Sequence, residues 1–235
     1  MTEQEWLTWT NVAQMLRFAS KRSGESERKL RLWAVACVRR GWHLLQFETS
    51  REAVQLAERF ADGTASDSER SAAWEAAFQM VMVNRPSPEP GRFFMADVAA
   101  ERVALRSAKS WRVTAEKTAE QVIRAVQQND PTGRAAAEER AAQASLVRDV
   151  FVFRSIRAEP SWLTWNGGAI VRAAQAAYEQ RELPSGHLDS QRLAVLADMV
   201  EEAGCTDANL LTHLRNREAV HVRGCFAIDL LLGKE

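Results

Sequence analysis

A chain of 235 residues can bury a substantial core as one large domain or two smaller ones. Its 46% hydrophobic and 26% charged residues are the balance of a globular protein, and a formal net charge of zero gives no global field favouring nucleic acid or an anionic membrane. No apolar run is long enough to span a bilayer, and Met1-Thr2-Glu3-Gln4-Glu5 opens polar rather than as a signal segment. Three cysteines do not make a disulfide framework, so the expected setting is the cytoplasm with reduced thiols.

The first segment is Trp6-Leu7-Thr8-Trp9, followed by a helix capped by Thr10 or Asn11 and running to about Arg22, with Val12, Met15, Leu16 and Ala19 on one face. The next helix spans about Ser26 to Phe47. Its centre, Leu32-Trp33-Ala34-Val35-Ala36-Cys37-Val38, is apolar on nearly every side, as in a central buried helix. Thr49 with Glu52, and Ser66 with Glu69, read as capping boxes for the third and fourth helices. Residues 84–91 hold three of the six prolines, which helix cannot cross, and predict a linker between subdomains 1–83 and 92–235 of a single helical domain.

A long helix is then predicted over 93–128, with Trp111, Ala115, Ala119, Val122 and Val126 on helical spacing. The turn signal Asn129-Asp130-Pro131-Thr132-Gly133 leads into an alanine-rich helix to about Phe153, and the short connection predicts an antiparallel hairpin. WLTW recurs at 162–165, and both copies read as lead-ins that clamp the chain ahead of a capped helix, the second capped by Asn166. Leu193, Leu196, Ala197 and Val200 mark a helix over 193–203 that stops at Gly204, and Thr206 or Asp207 caps the next. The chain closes on Ile228-Asp229-Leu230-Leu231-Leu232, with Asp229 read as structural. β-branched alternation never persists, so the fold class expected is an all-α bundle of about nine or ten helices with the long hairpin in its middle.

Cys37, His43, Cys205, His213, His221 and Cys225 are the candidate metal ligands. Four of them would suit a structural Zn²⁺, although no C-x₂-C knuckle is present and His221 to Cys225 is the one close pair. The alternative is that the thiols pack as small apolar groups and the imidazoles bond carbonyls. A nucleophilic arrangement can be drawn from Cys225, His221 and Asp229, but i, i+4 neighbours on one helix rarely converge on a substrate. Gly167-Gly168 lacks the lysine of a phosphate-binding loop. A basic run comprises Arg17, Lys21, Arg22, Arg28, Lys29, Arg31, Arg39 and Arg40, opposed locally only by Glu25 and Glu27. It is a candidate surface for nucleic acid or another anion, unless it pairs with acids of the same chain.

The blocks RKLRLWAVACVRRGWHLL (28–45), SREAVQLAERFADG (50–63), SWLTWNGGAIVRAAQAAYE (161–179), LAVLADMVEEAGCTDANLLTHLR (193–215) and HVRGCFAIDLLLGKE (221–235) resemble those of a lineage-expanded family of uncharacterised bacterial all-helical proteins. That resemblance implies a helical fold and no particular activity. Members of that family often carry a further Cys after the positions of Cys37 and His213, where this chain has Val38 and Leu214. The expected role is a non-catalytic interaction or adaptor protein whose partner is another protein. The alternatives are a nucleic-acid-associated protein using 17–40, and a Zn-stabilised helical domain or metal-dependent hydrolase.

Overall fold

The computed structural model describes residues 1–23, 26–84, 94–105, 110–128, 130 and 132–234, and among these it is all-helical, with two isolated β-bridges and no strand. Twelve α-helices are present among the described residues: α1 (Glu3–Thr8), α2 (Val12–Ser23), α3 (Glu27–Arg40), α4 (Glu48–Ala61), α5 (Asp67–Val83), α6 (Phe94–Val103), α7 (Trp111–Gln127), α8 (Arg134–Val150), α9 (Pro160–Glu179), α10 (Ser190–Glu202), α11 (Ala208–Arg215) and α12 (Phe226–Leu232). The count exceeds the expected nine or ten, because short helices escape a periodicity search. No described helix is long and apolar enough to cross a membrane.

The chain forms two compact units, Met1–Val147 and Arg148–Glu235. The sequence-based boundary at 84–91 falls inside the first unit and, beyond Asn84, outside the described residues.

In the first unit α3 is central, packing against α4, α6 and α7. Every residue from Leu30 to Arg39 is buried, as its all-round apolar sequence requires. The helix stops at Arg40, and a 3₁₀ turn, Trp42–Leu44, replaces the rest of the predicted span. The predicted 93–128 helix is interrupted: α6 ends at Val103, α7 begins at Trp111 under a Ser110 cap, and the two pack together. Buried guanidinium groups supply the physical reason. Arg31 Nη1 donates to the carbonyls of Val103 (2.5 Å) and Leu105 (3.0 Å), and Arg70 Nη1 donates to that of Ala104 (2.5 Å). A helix end leaves carbonyls without partners, and a cation there satisfies them and the macrodipole together. Both guanidiniums lie over Phe60, at 5.1 and 5.2 Å from its centroid, and Arg31 lies 3.9 Å from that of Trp111. Gln143 of α8 donates to the Ala119 carbonyl of α7 at 3.1 Å, and the predicted turn between these helices lies in part outside the described residues.

The Ser66–Glu69 capping box is present, and an unforeseen one joins Thr2 to Glu5. Thr49 caps nothing. α4 starts a residue before it, and Asp97 of α6 accepts from the N–H groups of Gln46 (3.3 Å) and Phe47 (3.4 Å) just ahead of the helix.

The second unit is built from α9 to α12 and the segment leading into them. Its core gathers Trp162, Ile170, Tyr178, Leu193, Leu196, Val200, Leu210, Leu214, Phe226 and Ile228. The two WLTW copies adopt one local form. In each, the first Trp is buried in a helical turn, the Thr hydroxyl donates to the carbonyl four residues back, and the second Trp turns extended (ψ 147° at Trp9, 132° at Trp165). Asn166 does not cap as expected: it takes a left-handed conformation (φ 45°) at the kink of α9. Gly204, at φ 97°, closes α10 in a Schellman turn, with the Cys205 N–H on the Val200 carbonyl at 3.1 Å.

Replacing Arg31 with Ala is expected to lower unfolding stability by about 3 kcal/mol, and Lys to restore little, since an ammonium cannot span two carbonyls and stack on an indole. Urea unfolding of the full chain reads this, and a loss below about 1 kcal/mol for Arg31→Ala would contradict the role assigned to it. In the same assay Ser66→Ala should cost about 1 kcal/mol, while Thr49→Ala should be neutral or better, because the Thr49 hydroxyl is buried without a hydrogen-bond partner.

A candidate metal centre

Four side chains of the second unit converge: Asp149, His213, His221 and Cys225, with one ligand-type atom of each lying within 4.8 Å of all the others. Asp149 sits in the last turn of α8, His213 in the last turn of α11, His221 in the loop after α11, and Cys225 at the N-cap of α12.

The loop is fixed by its own chemistry. Asn216 ends α11, and its Oδ1 accepts from the N–H groups of Glu218 and Ala219, both at 3.2 Å. The Leu188 N–H donates to the His221 carbonyl at 2.8 Å, and the Cys225 N–H to that of Val222 at 3.0 Å. Arg215 ties α11 to α10 through Asp198 (2.7 Å) and Glu201 (2.5 Å). The His221 ring and the Cys225 thiol are thus delivered by backbone that is already bonded.

His221 Nδ1 lies 2.8 Å from Asp149 Oδ1, His213 Nε2 lies 3.2 Å from the same oxygen and 3.2 Å from Cys225 Sγ, and Sγ lies 4.0 Å from His221 Nδ1. Tetrahedral Zn²⁺ with bonds of about 2.0 to 2.3 Å separates its ligand atoms by about 3.3 to 3.6 Å, so the donors already stand near such an arrangement. The outer contacts fit as well. Asp149 Oδ2 accepts the Val222 N–H at 2.9 Å, leaving Oδ1 for the centre. His221 Nε2 faces the Asn216 carbonyl at 3.2 Å, which places a proton on Nε2 and turns Nδ1 inward, as metal-bound histidines require.

The same contacts do not form a nucleophilic relay. In a Cys-His-acid triad the thiol and the carboxylate address opposite nitrogens of one ring. Here the carboxylate and the sulfur address the same nitrogen, Nε2 of His213 and Nδ1 of His221. The acid is Asp149, not Asp229, which is buried separately in α12. Cys225 is fully buried, and burial together with the Asp149 charge pushes its thiol well above the ordinary value, away from a reactive thiolate.

Electrostatics bind the group together without any ion. Burial works to raise the Asp149 pKa, but the hydrogen bonds and charges of His213 and His221 outweigh it and hold the carboxyl well below its usual range. Burial works to lower the His221 pKa, and the bond and charge of Asp149 raise it instead. An acceptor faces each of its nitrogens, an arrangement that favours the imidazolium over either neutral tautomer when no ion is bound.

Of the six ligands expected from the sequence, His213, His221 and Cys225 are brought together. Cys205 packs in the core of the same unit, while Cys37 is buried in α3 and His43 is exposed on the 3₁₀ turn of the first unit. Asp149 was missed. Its signal is a carboxylate between the apolar pairs Leu146-Val147 and Val150-Phe151 near the end of a helix.

Half of the basic run forms ion pairs within the first unit. Arg28 pairs with Asp62 (3.1 Å), Arg31 with Glu27 (2.7 Å), Arg39 with Glu58 (2.7 Å) and Arg40 with Glu139 (2.9 Å). Arg31 and Arg39 are buried, Arg28, Lys29 and Arg40 half-buried, and Arg17, Lys21 and Arg22 exposed on α2. Comparison with protein-family models, curated proteins and solved structures gave no match.

The two shifts give the chelator-treated protein a bounded pH window. Asp149, with its pKa lowered on folding, contributes stability that is present above about pH 4 and lost as pH falls through the lowered value. His221, with its pKa raised, contributes stability that is full below about pH 6.5 and lost as pH rises through the raised value. Thermal unfolding in EDTA from pH 3 to 9 should therefore weaken on both sides of that window, and Asp149→Asn should flatten the alkaline limb. An unchanged alkaline limb in that variant would dissociate His221 from Asp149.

Proposed function

We propose that the protein is a metal-binding helical protein in which residues 148–235 hold one transition-metal ion, Zn²⁺ foremost, on Asp149, His213, His221 and Cys225. The convergence of four donor atoms within 4.8 Å carries this reading. One carboxylate, two imidazoles and one thiol form a borderline-soft set that suits Zn²⁺ and not the all-oxygen preferences of Ca²⁺ or Mg²⁺. The ion would join the last turn of α8 to α11, to the following loop and to the start of α12, so that its binding energy becomes stability of the unit. His213, His221 and Cys225 also lie in the two C-terminal blocks that carry the resemblance to the helical family. The interaction or adaptor role expected from the sequence is carried with this reading, the ion fixing the shape of the unit that would present a surface. The nucleic-acid alternative has less support, because half of the basic run faces carboxylates of its own unit.

Native mass spectrometry of the full chain, purified without chelator and reconstituted with Zn²⁺, is expected to show one ion per chain. EDTA should lower Tm by about 10 °C or more, and His221→Ala should remove both the ion and the EDTA effect. A bare-chain mass after reconstitution, with Tm indifferent to EDTA, would end the proposal.

A further inference from the structure

The four ligands are not equivalent. Asp149, His221 and Cys225 are buried, with side-chain exposures of 3% for Asp149 and 1% for His221 and none for Cys225, whereas the His213 side chain is 17% exposed. The buried three are also fixed from behind. Asp149 is held by the Val222 N–H and His221 by the Asn216 carbonyl, and the Cys225 side chain is enclosed in the apolar core of the unit. The His213 ring rests instead against aromatic faces, 4.3 Å from the Phe226 centroid and 4.7 Å from that of His221. Such contacts hold a ring by area and impose weaker directional constraint than a hydrogen bond. Of the four ligands, His213 is the one whose side chain reaches solvent appreciably.

Resting on the metal-binding reading, we propose that His213 is the exchangeable ligand, and that a small neutral monodentate donor from solution replaces it while Asp149, His221 and Cys225 keep the ion. In the exchange the bond from the ion to His213 Nε2 breaks and one to the incoming oxygen or nitrogen forms, with no change of charge or oxidation state. Water is the donor in plain buffer, and imidazole is the laboratory substitute. Three protein ligands plus one solvent-derived ligand is the arrangement of catalytic rather than closed structural zinc sites. The His213 corner is accordingly the position at which a substrate-bearing donor would meet the ion.

The test uses the full chain loaded with Co²⁺, whose visible absorption reports coordination, in four forms: unaltered, His213→Ala, His213→Gln and His221→Ala. The unaltered chain should bind one Co²⁺. Both His213 variants should still bind one, with an altered spectrum that added imidazole moves again in the alanine variant. His221→Ala should bind none at the same concentration. Far-UV circular dichroism confirms that each compared variant is folded, and the glutamine variant stands in should the alanine variant fail that check. Folded His213 variants as empty as His221→Ala, or an alanine-variant spectrum indifferent to imidazole, would overturn the exchange while leaving the metal-binding reading intact. Failure of the unaltered chain to bind Co²⁺ would overturn both.

Discussion

An ionised carboxylate removed from water costs several kcal/mol unless other charges and donors replace its hydration, and Asp149 is 2% exposed. Its replacement shell comes from three places in the sequence: the His213 ring, the His221 ring and the Val222 N–H. Without an ion, each must be in position for the burial to be tolerable. The end of α8, the end of α11 and the loop before α12 are therefore coupled through one side chain. Cys225 follows from the same constraint, since the turn that offers the Val222 amide also sets the thiol 3.2 Å from His213. A polar group satisfied on every side rigidifies its surroundings, and a partly satisfied one is a liability.

The first unit applies the same physics with the opposite sign. Arg31 and Arg70 are fully buried cations, and their hydration is replaced by carbonyls at the end of α6 and by aromatic faces. Arg39 is buried against Glu58 and lies 5.3 Å from the Trp42 centroid. The composition, 26 Arg to five Lys, acquires a structural meaning here. A planar, weakly hydrated cation that bonds in two directions and stacks can be buried where an ammonium cannot. The abundant Trp serves the same arrangement at Trp111 and Trp42, as stacking surface for cations inside the fold rather than as anchors awaiting a partner.

Local patterns reported local structure well. The apolar girth of α3 told its burial, Ser66 and Glu69 told the start of α5, and Gly204 told the end of α10, because each depends on residues within one or two turns. The failures share a cause. The break between α6 and α7 depends on arginines at 31 and 70, and α4 begins where Asp97 accepts its leading amides rather than where Thr49 could cap it. The second WLTW failed differently: its duplicated form was legible, but Asn166 enters a left-handed kink that a cap pattern does not distinguish. Three of the four residues of the candidate site were legible by residue type alone. Imidazoles and thiols attract attention wherever they occur, whereas an aspartate does so only once its surroundings are known to be apolar.

The distinction between a relay and a centre rests on which atoms of a ring are addressed. A relay moves a proton through an imidazole and needs a partner at each end; a centre needs every donor to point at one place. His221 has its outer nitrogen on a backbone carbonyl and its inner one toward Asp149 and Cys225, and His213 presents one nitrogen to the same two groups. Without an ion, that inward focus is stabilised by protons, held between two imidazoles and a carboxylate. With one, the ion takes the place of the protons, and the hydrogen bonds from behind keep the donors aimed. Cys225, beside Phe226 in the apolar core, makes the aim a property of the fold itself, because moving the sulfur would open the packing on which α9, α10 and α11 close.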